Sequence, residues 1–195
     1  MGEKSLQKKQ FILETAREVF MEKGYKRVTM KDIVERCEIS RGGLYLYFES
    51  TKEIFEEVLQ MEKEETDDVF SKAISEDYTS TDILLLFFKE QKKELLRKKK
   101  NLTVAIYEFF FEYKVPKKDN MMRKQFDIGV KIMEQLITEG VENGEFYCED
   151  IIGMARNIML IIEGMKITSQ TFGLSEEMMD YQFAFIAQSL VIDME

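Results

Sequence analysis

Apolar residues in the first fifty positions recur at intervals of three and four, and each run stops at a small or turn-forming residue. Between about Leu6 and Lys23, the residues Ile12, Ala16, Val19 and Phe20 fall on one helical face, and Gly24 supplies a stop. Thr29 then reads as an N-cap, with Asp32 three residues on as in a capping box and Val28 and Ile33 placed as a hydrophobic staple. A second helix is predicted from Met30 to about Cys37. A further start comes at once, with Ser40 as cap and Ile39 and Leu44 as staple. Two capped starts eleven residues apart leave room only for a short turn, the spacing of a helix-turn-helix. In such a unit the second helix enters the DNA major groove and the first braces it against the backbone. Leu44 and Phe48 are four apart and share a buried face, so Arg41, Tyr45 and Leu46 project elsewhere.

Ser50 with Glu53 forms another capping box, opening a helix with no Gly or Pro between Glu49 and Ser71 and an apolar stripe of Ile54, Phe55, Val58, Leu59 and Met61. Such a helix joins the N-terminal unit to the rest of the chain and can act as a rigid lever. Further helical patterns run over about Thr81 to Lys98, Leu102 to Tyr113, Lys118 to Asn143, Glu149 to Phe172 and Glu176 to Asp193. Val115-Pro116 breaks two of them and Gly144 ends another; Ser175, between Leu174 and the acidic pair Glu176 and Glu177, caps the last. Arg97 to Lys100 reads as a solvated basic helix end. One proline and ten glycines in 195 residues fit long uninterrupted helices, and the fold class expected is all-α.

Composition adds three constraints. The formal charge of −9 is adverse for a nucleic-acid binder, but it is uneven: residues 1–50 carry ten Lys and Arg against eight Asp and Glu, so the excess of acid lies in the remaining residues. There is no histidine, the commonest general base and transition-metal ligand, and Cys37 and Cys148 form no CxxC pair. With no nucleophile elbow or dinucleotide glycine motif either, an enzyme is the weakest reading, and no cofactor is expected. The start MGEKSLQKKQ lacks the apolar core of a signal peptide, and the aliphatic runs Ile83 to Phe88 and Ile158 to Ile162 are too short to span a bilayer. A cytoplasmic protein with no membrane partner is expected.

Two features of the N-terminal stretch carry chemistry. Gly42 and Gly43 each cost about 1 kcal/mol relative to Ala inside a helix. Close approach of backbone to a phosphate or base edge would account for them, and so would a frayed first turn. Lys8 and Lys9, near the start of the first helix, oppose its dipole and suit either a partner phosphate or an exposed solubilising role.

The segment ILETAREVFMEKGYKRVTMKDIVERCEISRGGLYLYFESTKEIFEEVL resembles the DNA-binding domain of the TetR (tetracycline-repressor-like) transcriptional regulators. The elements A-x-x-x-F-x-x-x-G-Y, T-x-x-x-I and S-[KR]-G-x-L-Y-x-Y-F occur in order, over roughly residues 8–60. The resemblance implies a helix-turn-helix DNA-binding domain at 1–50, with the start of the connecting helix to about residue 60, and a helical ligand-binding and dimerisation domain at 51–195. It implies a homodimer on a palindromic operator, usually a repressor, released by a small molecule. By position, Thr29 and Lys31 would contact the backbone or a base edge. Ser40, Arg41, Gly42, Gly43 and Tyr45 would form the reading surface, and Tyr47 would hold a phosphate. Arg41 could grip guanine or a phosphate. The chain departs from the family at Glu38, where the turn usually has Gly; at Thr51, where a phosphate-binding Lys is usual and Lys52 comes one position later; and at Gly43, often Thr.

The resemblance also implies an effector pocket, with Phe87, Phe88, Tyr107, Phe110, Phe111, Phe126, Met133 and Met159 as candidate lining, although any one of them could be plain core. Thirteen methionines suit an adaptable pocket for lipophilic molecules. Glu108, Glu112 or Glu163 would favour a cation if turned inward. The last two helices, with small residues Gly153, Ala155, Gly164 and Ala184, are expected to form the dimer interface. The competing reading is a helical ligand- or protein-binding module that no longer binds DNA specifically.

Overall fold

The computed structural model describes residues 2–73, 78–96 and 101–190, with the side chains of 63–73 excepted; the basic run at 97–100 lies outside the described residues. In chain order the helices are α1 (Glu3–Lys23), α2 (Met30–Cys37), α3 (Arg41–Tyr45), α4 (Thr51–Ala73), α5 (Ser80–Leu96), α6 (Thr103–Glu112), α7 (Met121–Glu142), α8 (Ile151–Thr171) and α9 (Glu176–Leu190). No strand occurs among the described residues, so the all-α expectation holds. The observed ends fall within about three residues of those predicted wherever both ends are described, the ordinary fraying of helix boundaries.

The chain forms two compact units, one of Met1–Lys72 with Lys99–Val115, the other of Ala73–Lys98 with Pro116–Glu195. In the first unit, the buried stripe of α1 (Ile12, Ala16, Val19, Phe20) packs with Val28, Ile33, Leu44 and Phe48, and the start of α4 adds Ile54, Phe55 and Val58, all at most 6% exposed. Each such large side chain contributes about 1.5–3 kcal/mol by leaving water. The first turns of α4 are therefore core of the helix-turn-helix unit. So is α6: Phe109 is 1% exposed, with its ring centroid 5.2 Å from Phe55, 5.1 Å from Tyr25 and 4.9 Å from Tyr113. The Tyr25 hydroxyl donates to the Tyr113 hydroxyl at 3.0 Å, and burial, followed by that bond, pushes the Tyr25 pKa well above its ordinary value.

The second unit has its own core, centred on Leu84 and Phe88 of α5, Met133 and Ile137 of α7, Ile158 and Ile162 of α8 and Phe183 and Ile186 of α9. Phe88 stacks on Phe183 at 4.7 Å. Gly140 is required here, because a Cβ would stand 2.2 Å from the Phe146 ring. Glu145 receives the Ser80 and Thr81 amides at 3.1 and 2.8 Å and so caps α5 from a distance in sequence. Burial opposes its charge, but these amides outweigh it and hold the carboxyl below its ordinary pKa. Ser175 caps α9 by accepting the Met178 amide at 3.2 Å, as expected.

Candidate nucleic-acid interface

The reading helix is built from short-range interactions. Thr29 Oγ1 accepts the Asp32 amide at 3.3 Å while the Asp32 carboxylate accepts the Thr29 amide at 2.8 Å, the reciprocal capping box. The same carboxylate also takes the Thr29 hydroxyl at 2.6 Å and Lys23 Nζ at 2.5 Å. The Lys23 ammonium first, then Thr29, hold the Asp32 carboxyl well below the usual range. The Thr29 hydroxyl proton is thus already committed, and DNA contact there falls to a lone pair or to the methyl group.

Glu38 closes α2 at φ 55°, ψ 37°, the single non-glycine with positive φ among the described residues. Its amide reaches Glu35 O at 3.3 Å, and the next amide, of Ile39, reaches Val34 O at 3.3 Å. The turn therefore takes the left-handed form with glutamate in place of glycine. Ser40 Oγ then accepts the Gly43 amide at 3.0 Å and starts α3. Leu44 and Phe48 sink into the core at 0% and 1% exposure, while Arg41 and Gly42 are exposed, Tyr45 is 48% exposed and Leu46 80%. A capped helix with its apolar pair buried and its cation and tyrosine outward can be laid against a groove without unfolding anything.

At the start of α4, Ser50 Oγ accepts the Glu53 amide at 3.2 Å, but Glu53 reaches back to the Glu49 amide at 2.6 Å, one residue earlier than a capping box requires. Thr51 lies against the Tyr25 phenol, and Lys52 is paired with Glu56 at 2.8 Å and stands over the Tyr113 ring at 5.5 Å. Neither offers a free side chain to a phosphate. Tyr47 is half-buried, its hydroxyl accepting from Ser5 Oγ at 3.3 Å. Lys9 is occupied, with Glu57 at 2.7 Å and the Phe48 ring at 5.5 Å.

Most cations of this unit already have carboxylates. Of the eleven Lys and Arg in residues 2–60, seven form ion pairs among the described residues: Lys9, Arg17, Lys23, Lys26, Lys31, Arg36 and Lys52. Lys31 and Glu35 are both exposed and stand 3.6 Å apart. Arg27 donates to the Lys23 carbonyl at 2.8 Å. Arg41 is exposed on the reading surface and has no carboxylate partner among the described residues.

Comparison with known proteins decides the identity. The model of "Bacterial regulatory proteins, tetR family" matches residues 12–58, and that of "Tetracyclin repressor-like, C-terminal domain" matches residues 83–180. This chain belongs to the TetR family. TetR-family proteins are DNA-binding transcriptional regulators rather than enzymes; they bind operators, dimerise and respond to small-molecule effectors. The chain is 34% identical over 140 residues to the uncharacterized regulator YfiR of Bacillus subtilis, spanning 69% of this chain and 66% of that one. It is 25% identical over 188 residues to IcaR, a negative transcriptional regulator of a biofilm operon in Staphylococcus aureus, with 85% and 88% covered. A solved regulator from Saccharomonospora viridis in complex with choline shares the fold at TM-score 0.81, with 19% identity over 94% of this chain and 97% of that one.

The residues expected to line a TetR-type effector pocket are divided between the two units. Tyr107, Phe110 and Phe111 lie on α6 in the DNA-binding unit, where Phe111 is 77% exposed and Tyr107 stacks on it at 6.3 Å. The buried member of that aromatic run is Phe109, which pattern alone did not single out. In the second unit, Phe88 and Met133 are closed core at 4% and 3% exposure, and the half-buried Phe87, Phe126 and Met159 flank that core. Glu108 accepts the Lys26 amide at 2.9 Å, Glu112 pairs with Lys26 at 3.5 Å and Glu163 with Lys166 at 2.6 Å, so each carboxylate has a partner. A groove of about 810 Å³ runs between α1 and α4, past Leu6, Phe11, Glu57 and Met61, and contains none of the expected lining. Ala155 is 0% exposed and belongs to the core, not to a surface; Gly153 packs under the Asp150 cap. Gly164 and Ala184 are exposed. No group of metal-ligating side chains occurs among the described residues, and none of their helices is long and apolar enough to cross a membrane.

Proposed function

We propose that the protein is a cytoplasmic homodimeric repressor that binds a palindromic operator and leaves it when a small lipophilic effector occupies the C-terminal unit. The observation that carries the DNA half of this reading is the surface of α3, where Ser40 caps the helix, Leu44 and Phe48 anchor it, and Arg41 and half-exposed Tyr45 face outward. The negative regulation exerted by IcaR supports repression, and the choline-bound relative supports a small effector.

Dimerisation is assigned to exposed apolar stripes on the last two helices. On α8 these are Ile152, Leu160 and Ile167, 44%, 61% and 43% exposed; on α9 they are Tyr181 and Phe185, 69% and 58% exposed. Two reading helices must then stand about one helical turn of DNA apart, roughly 34 Å or a multiple of it. An effector that binds better to a dimer of another spacing weakens DNA binding by its differential affinity for the two states. Phe87, Phe126 and Met159, half-buried beside the second core, are the lining retained for it, and Thr29, Lys31, Ser40, Arg41, Gly42, Gly43, Tyr45 and Tyr47 are retained as DNA-contacting positions.

The test is selection of binding sites from a random duplex library, with gel shifts across a salt series on the selected duplex. An enriched inverted repeat with a steep salt slope is expected. A folded dimer that enriches no sequence at low salt would refute the assignment. Arg41→Ala should alter preference at one operator position if it reads a base, whereas Tyr47→Ala should weaken all sequences alike.

A further inference from the structure

The start of the first helix comes close to the reading helix and the residues that follow it. Ser5 Oγ lies 3.3 Å from the Tyr47 hydroxyl, and one turn later Lys8 Nζ lies 3.9 Å from the place a Cβ would occupy on Gly43. The two lysines of this turn go separate ways. Lys9 turns inward to Glu57 and the Phe48 ring. Lys8 is exposed, has no hydrogen-bond or ion-pair partner among the described residues, and stands over the middle residue of α3, which has no side chain of its own. An ammonium is a compact, strongly hydrated point charge with three donors, and here all three are open to an anionic or electron-rich group. In a unit where seven cations are already matched by carboxylates, an unmatched one beside the reading surface is a poor choice for solubility alone and a good one for DNA.

We infer that Lys8 is part of the DNA-reading surface: its ammonium crosses Gly43 and donates to an oxygen or nitrogen acceptor of the DNA, in the place where a side chain at position 43 would otherwise reach. Gly43 is then a clearance, because a longer side chain there would contend with the ammonium for the same space. Two acceptors share this chemistry, a backbone phosphate oxygen and the O6/N7 edge of guanine. The inference rests on the DNA-binding reading above.

The experiment uses the full-length dimer and the duplex that it selects from a random library. Lys8→Ala, Lys8→Arg and, as a neighbouring exposed cation, Lys4→Ala are compared by gel shift over a salt series, with Arg41→Ala as the control for specific binding and circular dichroism as the control for folding. If the acceptor is phosphate, Lys8→Ala should weaken every sequence alike and lower the salt slope by about 1, with Lys8→Arg keeping the slope. If it is guanine, Lys8→Ala should lose roughly 5- to 150-fold at a single operator position, the equivalent of about 1–3 kcal/mol. Gly43→Thr should displace the ammonium, so that adding Lys8→Ala to it costs less than Lys8→Ala alone. Lys8→Ala binding like wild type in affinity, slope and preference, while Arg41→Ala fails, would overturn the assignment of Lys8 and leave the DNA-binding reading intact. A wild-type dimer that selects no duplex would overturn both.

Discussion

Replacing Glu38 by glycine should stabilise the helix-turn-helix and tighten its hold on DNA together. At φ 55° and ψ 37° this glutamate sits where an L side chain crowds its own carbonyl, at a cost of about 1–2 kcal/mol. Glycine removes that cost but returns about 0.5–1 kcal/mol through the freedom of the unfolded chain. The side chain is exposed and makes no hydrogen bond or ion pair among the described residues, so nothing else is lost. A carboxylate at the negative end of α2 is also worth about 0.3–1 kcal/mol in the wrong direction. Glu38→Gln removes the charge and keeps the backbone strain, so the difference between the Gly and Gln variants isolates the strain at about 0.5–1 kcal/mol. In a chain of this size that is a rise in melting temperature of roughly 1–4 °C, measured by circular dichroism. Both variants should bind the selected operator more tightly at low salt and to the same extent, because they lose the same charge. If Glu38→Gly melts no higher than Glu38→Gln, the strain of the left-handed turn does not exceed the roughly 0.5–1 kcal/mol that glycine gives back, and the reasoning fails.

Phe109→Ala, though some sixty residues beyond the reading helix in sequence, should destabilise the DNA-binding unit by about 3–5 kcal/mol in urea unfolding, since it empties the centre of an aromatic cluster. The depressed Asp32 carboxyl contributes stability that is present above its unfolded pKa, near pH 4, and lost as the pH falls towards the folded value. Urea midpoints of the wild type should therefore fall more steeply between about pH 5 and 3 than those of Asp32→Asn. Leu160→Glu with Phe185→Glu should give a folded monomer by light scattering, with operator binding weakened to that of a single half-site; an unchanged dimer would place the interface elsewhere.

Local pairings were the part of this protein most legible in its sequence. Thr29 with Asp32, Ser40 with Gly43, and Ser175 with Met178 are pairs three residues apart whose geometry the chain itself enforces. Contacts across many residues were not legible. In the run Phe109, Phe110, Phe111, helical periodicity cannot say which ring faces the core, and the answer depends on Tyr25 and Phe55, which lie far away in sequence. Thr51 could be expected to face a phosphate until Tyr25 is seen beside it, and Lys52 until Glu56 and the Tyr113 ring are. Small size suggested an interface role for Ala155, but a small residue fits a tight core equally well. In the sequence Gly43 is a departure from the family's usual Thr; only the course of α1 brings Lys8 to it.

The ion pairs of the DNA-binding unit make its surface an exchanger already loaded with its own counterions. A phosphate that takes Lys31 evicts Glu35, and the displaced carboxylate stays tethered to the protein and does not enter the solution. The evicted carboxylate then faces the phosphates and keeps cations near them, so such a swap sets free fewer of the DNA's condensed cations than an unpaired lysine does and leaves less trace in the dependence of affinity on bulk salt. A salt titration of this protein will therefore weight its unpaired cations, and the number of lysines and arginines that actually touch the DNA will exceed the slope.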